Sequence, residues 1–152
     1  MYAEISPESL QSAGWIKRES SGFNAAVGPF WERIEGEKIT LGIFVEDRHT
    51  NMHIGTIHGG VVMTLSDLGL GSAIRPVHGD LCYSCVTASL NVQFLSVARV
   101  GDFVTVHPEI LRTSKQMLFI RGLLKVGEKT IASAEGIWKV MESTGHSLPK
   151  KS

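Results

Sequence analysis

Two features within residues 50–75, TNMHIGTIHGGVVMTLSDLGLGSAIR, carry residue types that could do chemistry at a carbonyl carbon. The first is Asp67, a lone carboxylate in an otherwise apolar run. A carboxylate in such surroundings is costly unless paired or hydrogen-bonded, and no Arg or Lys lies one helical turn away on either side. It is a candidate functional residue. A solvent-filled groove or a bond to a neighbouring strand would also accommodate it. The second feature is His58-Gly59-Gly60. In a helix that starts there, the first-turn N–H groups lack partners and the dipole adds about half a positive charge. Glycines bare those N–H groups to a ligand oxygen, as an oxyanion site requires. The plainer reading is a glycine-rich turn that only starts a helix. His58 is open to two descriptions, a catalytic base or a core histidine satisfied by a backbone carbonyl.

Spacing couples the two features. Gly60 and Asp67 are seven residues apart, about 10 Å along a helix axis. A reacting atom must sit about 3 Å from both the oxyanion donors and the base. One helix does not easily arrange that. Two antiparallel copies across a two-fold axis do, with Asp67 of one facing Gly59 and Gly60 of the other.

The elements that must hold these residues can be read around them. Residues 59–74 form a helix apolar on nearly every face, through Val61, Val62, Met63, Leu65, Leu68, Leu70, Ala73 and Ile74. Such a helix must be surrounded, and it is too short to span a bilayer. It ends before Pro76, and residues 77–83 read as a loop. Ser6-Pro7-Glu8 starts a short helix running to Ser12 or Ala13, and residues 20–28 read as a loop. Residues 30–35 and 38–45 form a hairpin closed by Gly36-Glu37, with Ile39, Leu41, Ile43 and Val45 on one face. Residues 84–95, 103–111, 117–126 and 130–141 are strands. Short turns join them as an antiparallel meander. The tail over residues 145–152 is expected to fray. The expectation is α+β: a long helix wrapped by a curved antiparallel sheet of about six strands, with a short N-terminal helix. Gly69 and Gly71 in that helix, and Ala132, Ala134 and Gly136 on the last strand, allow close approach of backbones.

A chain of 152 residues reads as one domain, with residues 1–28 as an N-terminal helix and loop. Lys+Arg and Asp+Glu balance at 15 each, so net charge gives no attraction to nucleic acid or membrane. The first basic residue is Lys17, so the start is neither a secretory signal nor a transit peptide. Cys82 and Cys85 form the sole C-x-x-C. A structural zinc site needs four ligands, and a strand rather than an activating helix follows, so they read as strand cysteines in a cytoplasmic protein. His49 and His53 are four apart, but in an irregular approach where that spacing does not make a metal face.

The segments HTN…GTIHGGVVMTLSDLGLGSAI, VTASLNVQFLSVARVGD and ASAEGIWKV, in that order, resemble the hotdog-fold acyl-CoA thioesterases of the phenylacetate-pathway (PaaI-like) type. The likeness runs over residues 47–140. It implies a homodimer with a shared sheet, and often a tetramer of two such dimers. It also implies particular roles. Asp67 matches the general base or nucleophile, Gly59 supplies the carbonyl-polarising N–H with Gly60 adjacent, and Thr87 helps hold the attacking water. The family's upstream Asn corresponds to Asn51, which stands four residues before Gly55 rather than three, so one residue is inserted and His53 could take over its contact. The implied reaction is thioester hydrolysis with coenzyme A as part of the substrate, and with no separate cofactor and no metal. Arg75, Arg112 and Lys115 are candidates for the coenzyme A phosphates. Val62, Met63 and Leu95, with Phe23 or Trp15, are candidates for the acyl pocket. Two other readings are a non-catalytic acyl-CoA-binding or regulatory module and a hotdog dehydratase or hydratase. The H-x-x-x-P-G pattern of the dehydratases is absent from the sequence.

Overall fold

The computed structural model describes residues 5–141; the tail expected to fray lies outside them. Helix α1 (Pro7–Ser12) starts as its sequence dictates. Ser6 and Ser9 cap one another reciprocally, with Pro at the helix start and Glu8 in the first turn. A two-residue strand β1 (Ile16–Lys17) follows, then α2 (Gly22–Val27), where a loop is expected from the small residues. The side chains of Arg48 and His49 hold α2 from outside. Arg48 donates to the carbonyls of Ala26 and Gly28, and His49 Nε2 lies 2.6 Å from that of Val27. Local propensity is overridden there by a tertiary clamp on the helix C-terminus.

Strands β2 (Phe30–Glu35) and β3 (Lys38–Phe44) form the expected hairpin. Glu35 pairs with Lys38, and Gly36 has φ +63°, as the first central residue of a type II′ turn requires. The long helix α3 (Gly59–Ser72) is followed at once by α4 (Ile74–His78) and a 3₁₀ segment, Gly79–Ser84. The helical path therefore does not stop before Pro76. Pro76 falls in the first turn of α4, where a missing N–H breaks no intrahelical bond. The remaining strands are β4 (Cys85–Phe94), β5 (Phe103–Thr113), β6 (Met117–Val126) and β7 (Lys129–Val140).

The sheet has seven antiparallel strands in the order β1-β2-β3-β5-β6-β7-β4, the seventh beyond the expected six being the short β1. Of the last four strands, β5, β6 and β7 make the expected meander and β4 does not. The expected neighbours β4 and β5 are apart, because β4 pairs with β7 and β5 with β3. The chain between them is not a hairpin turn but a crossing beneath the start of α3, where the buried Ala98 accepts from the N–H of Ile57 at 2.9 Å. The crossing leaves β4 on the rim of the sheet, beside α3 but hydrogen-bonded on one side.

The inner face of the sheet and α3 share one core. Ile39, Leu41, Ile43 and Val45 are buried in it, as their alternation requires, with Leu65 and Leu70 of α3 and Leu118, Ile120 and Leu124 of β6. Gly69 permits the approach to β5, since a Cβ there would lie 2.8 Å from Val106. The outer face carries a second, aromatic cluster of Leu10, Trp15, Trp31 and Phe103, which seats α1.

Candidate active site

Asp67 lies midway along α3 and Thr87 near the start of β4; the Thr87 hydroxyl donates to Asp67 Oδ1 at 2.5 Å. That length is typical of a charge-assisted O–H···O⁻ bond. Strict alternation along β4 would not bring Thr87 to the helix, because Leu90 and Val92 pack on the core and Thr87 is out of phase with them. A β-bulge resets the phase: Thr87 pairs with Trp138, but Ser89 already pairs with Ile137. The extra residue re-aims Thr87 at the carboxylate.

Asp67 and Thr87 line one end of a cavity of about 340 Å³ between α3, α4 and β4. It continues past Leu68, Gly71 and Ser72 of α3 to Arg18 and Arg75, with Trp138 of β7 against it. Gly71 keeps the helix clear of the indole, since a Cβ there would lie 3.1 Å from Trp138 Nε1. Cys82 and Cys85 also line this cavity, as free thiols. Cys85 opens β4, whereas Cys82 belongs to the 3₁₀ segment rather than to a strand. Burial pushes both thiols up from the usual cysteine range, with Asp80 adding to the shift at Cys82 against the guanidiniums of Arg75 and Arg18. Both are therefore protonated, weak nucleophiles at neutral pH.

The start of α3 is built differently. His58 is the N-cap, and its Nδ1 accepts from the Gly60 N–H at 2.8 Å. In the neutral ring this fixes the proton on Nε2. The two glycine N–H groups, both expected to be bare, thus divide. That of Gly60 is taken by the histidine; that of Gly59 has no acceptor among the described residues. Gly59 sits beside the ring of Phe94, which is 54% exposed at the end of β4. Gly59 does not line the Asp67 cavity in the same chain.

Upstream, Asn51 opens an exposed turn. Asn51 donates its N–H to the Thr56 carbonyl at 2.8 Å, and its own carbonyl accepts from Gly55 at 3.2 Å. Met52, His53 and Ile54 form the exposed tip, and the backbone of Asn51 is pinned on both sides. His49 of the same segment is a buried structural residue. Its Nδ1 accepts from the Glu46 N–H at 3.0 Å, so Nε2 is the donor to Val27.

Several expected binding residues lie elsewhere. Arg75 reaches the cavity but is held by Glu32, at 2.8 Å. Arg112 belongs to the end of β5 rather than to the turn that holds Lys115, and neither lines the cavity. Met63 is half-buried on α3, and Val62 is in the core. Trp15 meets Phe103 edge-on at 5.2 Å on the outer face of the sheet, with its back to the helix. None of Val62, Met63, Leu95, Phe23 and Trp15 lines the cavity beside Asp67. Reading the sequence missed Arg18, Ser72 and Trp138. Ser72 carried no signal either, because a residue five past Asp67 stands about 140° round the helix from it.

Comparison with known proteins gives matches to this fold. Residues 54–132 match the family model described as Thioesterase superfamily. The Pseudomonas aeruginosa protein named "Putative esterase PA0474" is 35% identical over 74% of this chain and 83% of its own length. Acyl-coenzyme A thioesterase 13 of Mus musculus is 31% identical over 55% of this chain and 57% of its own length. Among solved structures, thioesterase superfamily member 2 from Mus musculus superposes with a TM-score of 0.68 at 26% identity, covering 78% of this chain and 86% of that one.

Proposed function

The chain belongs to the thioesterase superfamily, and from that premise we propose that it hydrolyses acyl-CoA thioesters to the free acid and coenzyme A. The observation that carries the reading is the Asp67 carboxylate, oriented by Thr87 at 2.5 Å and opening onto a cavity. Asp67 acts on the thioester carbon, either by deprotonating a water or by direct attack to give an anhydride. The thioester oxygen sits on the Gly59 N–H, where the helix start stabilises the negative charge that develops. Thr87 fixes the acid through its hydroxyl and, with Asn51, helps position the attacking water. Arg112 and Lys115 are the rim candidates for the coenzyme A phosphates.

The active form is a homodimer. Gly59 and Asp67 stand eight residues apart on one helix, about 12 Å along its axis. One copy therefore cannot present both to a single carbonyl, and the acid must meet the amide of its twin. Two observations support this arrangement. Among the described residues β4 is hydrogen-bonded only to β7, which leaves its other edge free, and β4 exposes Val86 and Phe94. A twin β4 would continue the sheet and cover that edge. Two such dimers would form a tetramer. Among the described residues no helix is long and apolar enough to cross a membrane. The free thiols fit the reducing cytoplasm, which we take as the compartment.

The experiment is an assay of the purified protein over a panel of acyl-CoA thioesters, with detection of the released thiol. Thiol release that Asp67→Asn abolishes is the expected result. Tight binding of the thioesters without thiol release would instead favour the non-catalytic binding module.

A further inference from the structure

The cavity beside Asp67 is not a plain hydrocarbon slot. Its far end carries two guanidiniums, from Arg18 and Arg75. Arg18 comes from the segment after β1, held there by its N–H to the Phe30 carbonyl at 2.8 Å. Its Nη1 donates to Ser72 Oγ at 2.9 Å, and Ser72 in turn donates to the Leu68 carbonyl at 2.6 Å. Arg75 bonds Glu32 Oε1 at 2.8 Å. The second carboxylate oxygen, Glu32 Oε2, is buried with no hydrogen-bond partner, and Arg18 Nε stands 3.9 Å from it. That separation is an ion pair but not a hydrogen bond. Each guanidinium has five N–H donors, and each makes one hydrogen bond among the described residues. One carboxylate is thus shared by two cations, and most of both donor forks have no hydrogen-bond partner among the described residues.

Geometry sets what could reach them. Ser72, which Arg18 touches, is five residues beyond Asp67 on the same helix. The axial component of that separation is about 7.5 Å, so an acyl chain of about six carbons is the shortest that spans it. We propose that this cavity takes an acyl group whose far end carries a carboxylate, so that the substrate class is the mono-CoA thioester of a dicarboxylic acid. Arg18 and Arg75 grip the terminal carboxylate while its thioester carbon lies against Asp67. A planar fork matches a carboxylate in two parallel bonds, which a hydroxyl or a methyl cannot supply. A methyl-ended chain would instead cover the two cations and give nothing back for the water they lose. The inference rests on the thioesterase reading and goes beyond it by naming the substrate's far end.

The test compares adipoyl-CoA with hexanoyl-CoA, equal in carbon count and different at that end. The expected result is a kcat/KM about ten- to a hundredfold higher for adipoyl-CoA. In Arg18→Met that preference should shrink to near unity, with Arg75→Gln as a second variant should the first not fold. Equal rates on the two thioesters in the unmodified protein, a preference for hexanoyl-CoA, or a preference untouched by both variants would overturn the proposal. Calorimetric binding of the same two thioesters keeps the inference separate from the hydrolase reading. With no turnover of any thioester the hydrolase reading falls. Tighter binding of adipoyl-CoA would still uphold the subsite, and equal binding would remove it.

Discussion

The start of α3 and its middle are built from opposite materials. At the start, exposed backbone offers one free N–H, at Gly59, and the one side chain at hand, His58, is spent on Gly60. At the middle, backbone amides are consumed by the helix, and chemistry is left to side chains, Asp67 and Thr87, beside a cavity. One end can stabilise negative charge but holds no acid; the other holds the acid but has no free backbone donor. On the proposed mechanism, a single helix carries both halves of a carbonyl-attacking site at a distance that keeps them from meeting within one chain.

The strongest way to break the comparison is to neutralise the middle. Asp67→Asn is expected to lower kcat by about 10²–10⁴-fold, the usual contribution of a positioned base. Thermal unfolding should show the fold kept, because the amide can still accept from Thr87. Next comes the start. Gly59→Pro removes one N–H and little else. The site is the first helical position, where Pro is favoured, and the preceding His58 has an extended ψ of 136°. A Cβ there meets only Phe94, at 3.6 Å. A loss of about 10²–10³-fold in kcat with an unchanged melting temperature is expected. Undiminished turnover would remove Gly59 from the site.

Thr87→Val sharpens the account of the middle. It deletes one charge-assisted hydrogen bond, worth about 1.5 kcal/mol, so kcat should fall by about tenfold and recover in Thr87→Ser. His58→Ala gives the smallest effect on rate and a visible one on stability. Losing an N-cap acceptor costs about 1 kcal/mol, which a denaturant titration would read. A loss of turnover beyond a hundredfold would instead make His58 part of the chemistry.

What the sequence could foretell follows from how local each feature is. The inward face of β3, the capped start of α1 and the Gly36-Glu37 turn all depend on near neighbours in the chain, and each was readable. The pairing of β4 with β7 was not, because it is decided by a crossing under α3 that no turn residue announces. Helix α2 escaped notice because its support comes from Arg48 and His49, some twenty residues away. The site divides in the same way. Asp67 and the glycines stood out because their types are anomalous on an apolar helix. Thr87 came only through family likeness, since simple alternation along β4 points it away and only the bulge brings it back. Arg18 reached the cavity with no local signal, carried there by the pairing of β1 with β2.

The central claim is that the acid of one copy works on a carbonyl held by the amide of the other. Mixing two inactive variants, Asp67→Asn and Gly59→Pro, under conditions that exchange subunits tests it directly. In a mixed dimer one shared site has both defects and the other has neither. Activity should therefore return to about a quarter of the unmodified level after equal mixing. If the mixture stays as inactive as its two components while mass measurements show mixed dimers, each chain uses its own pair and the account is wrong.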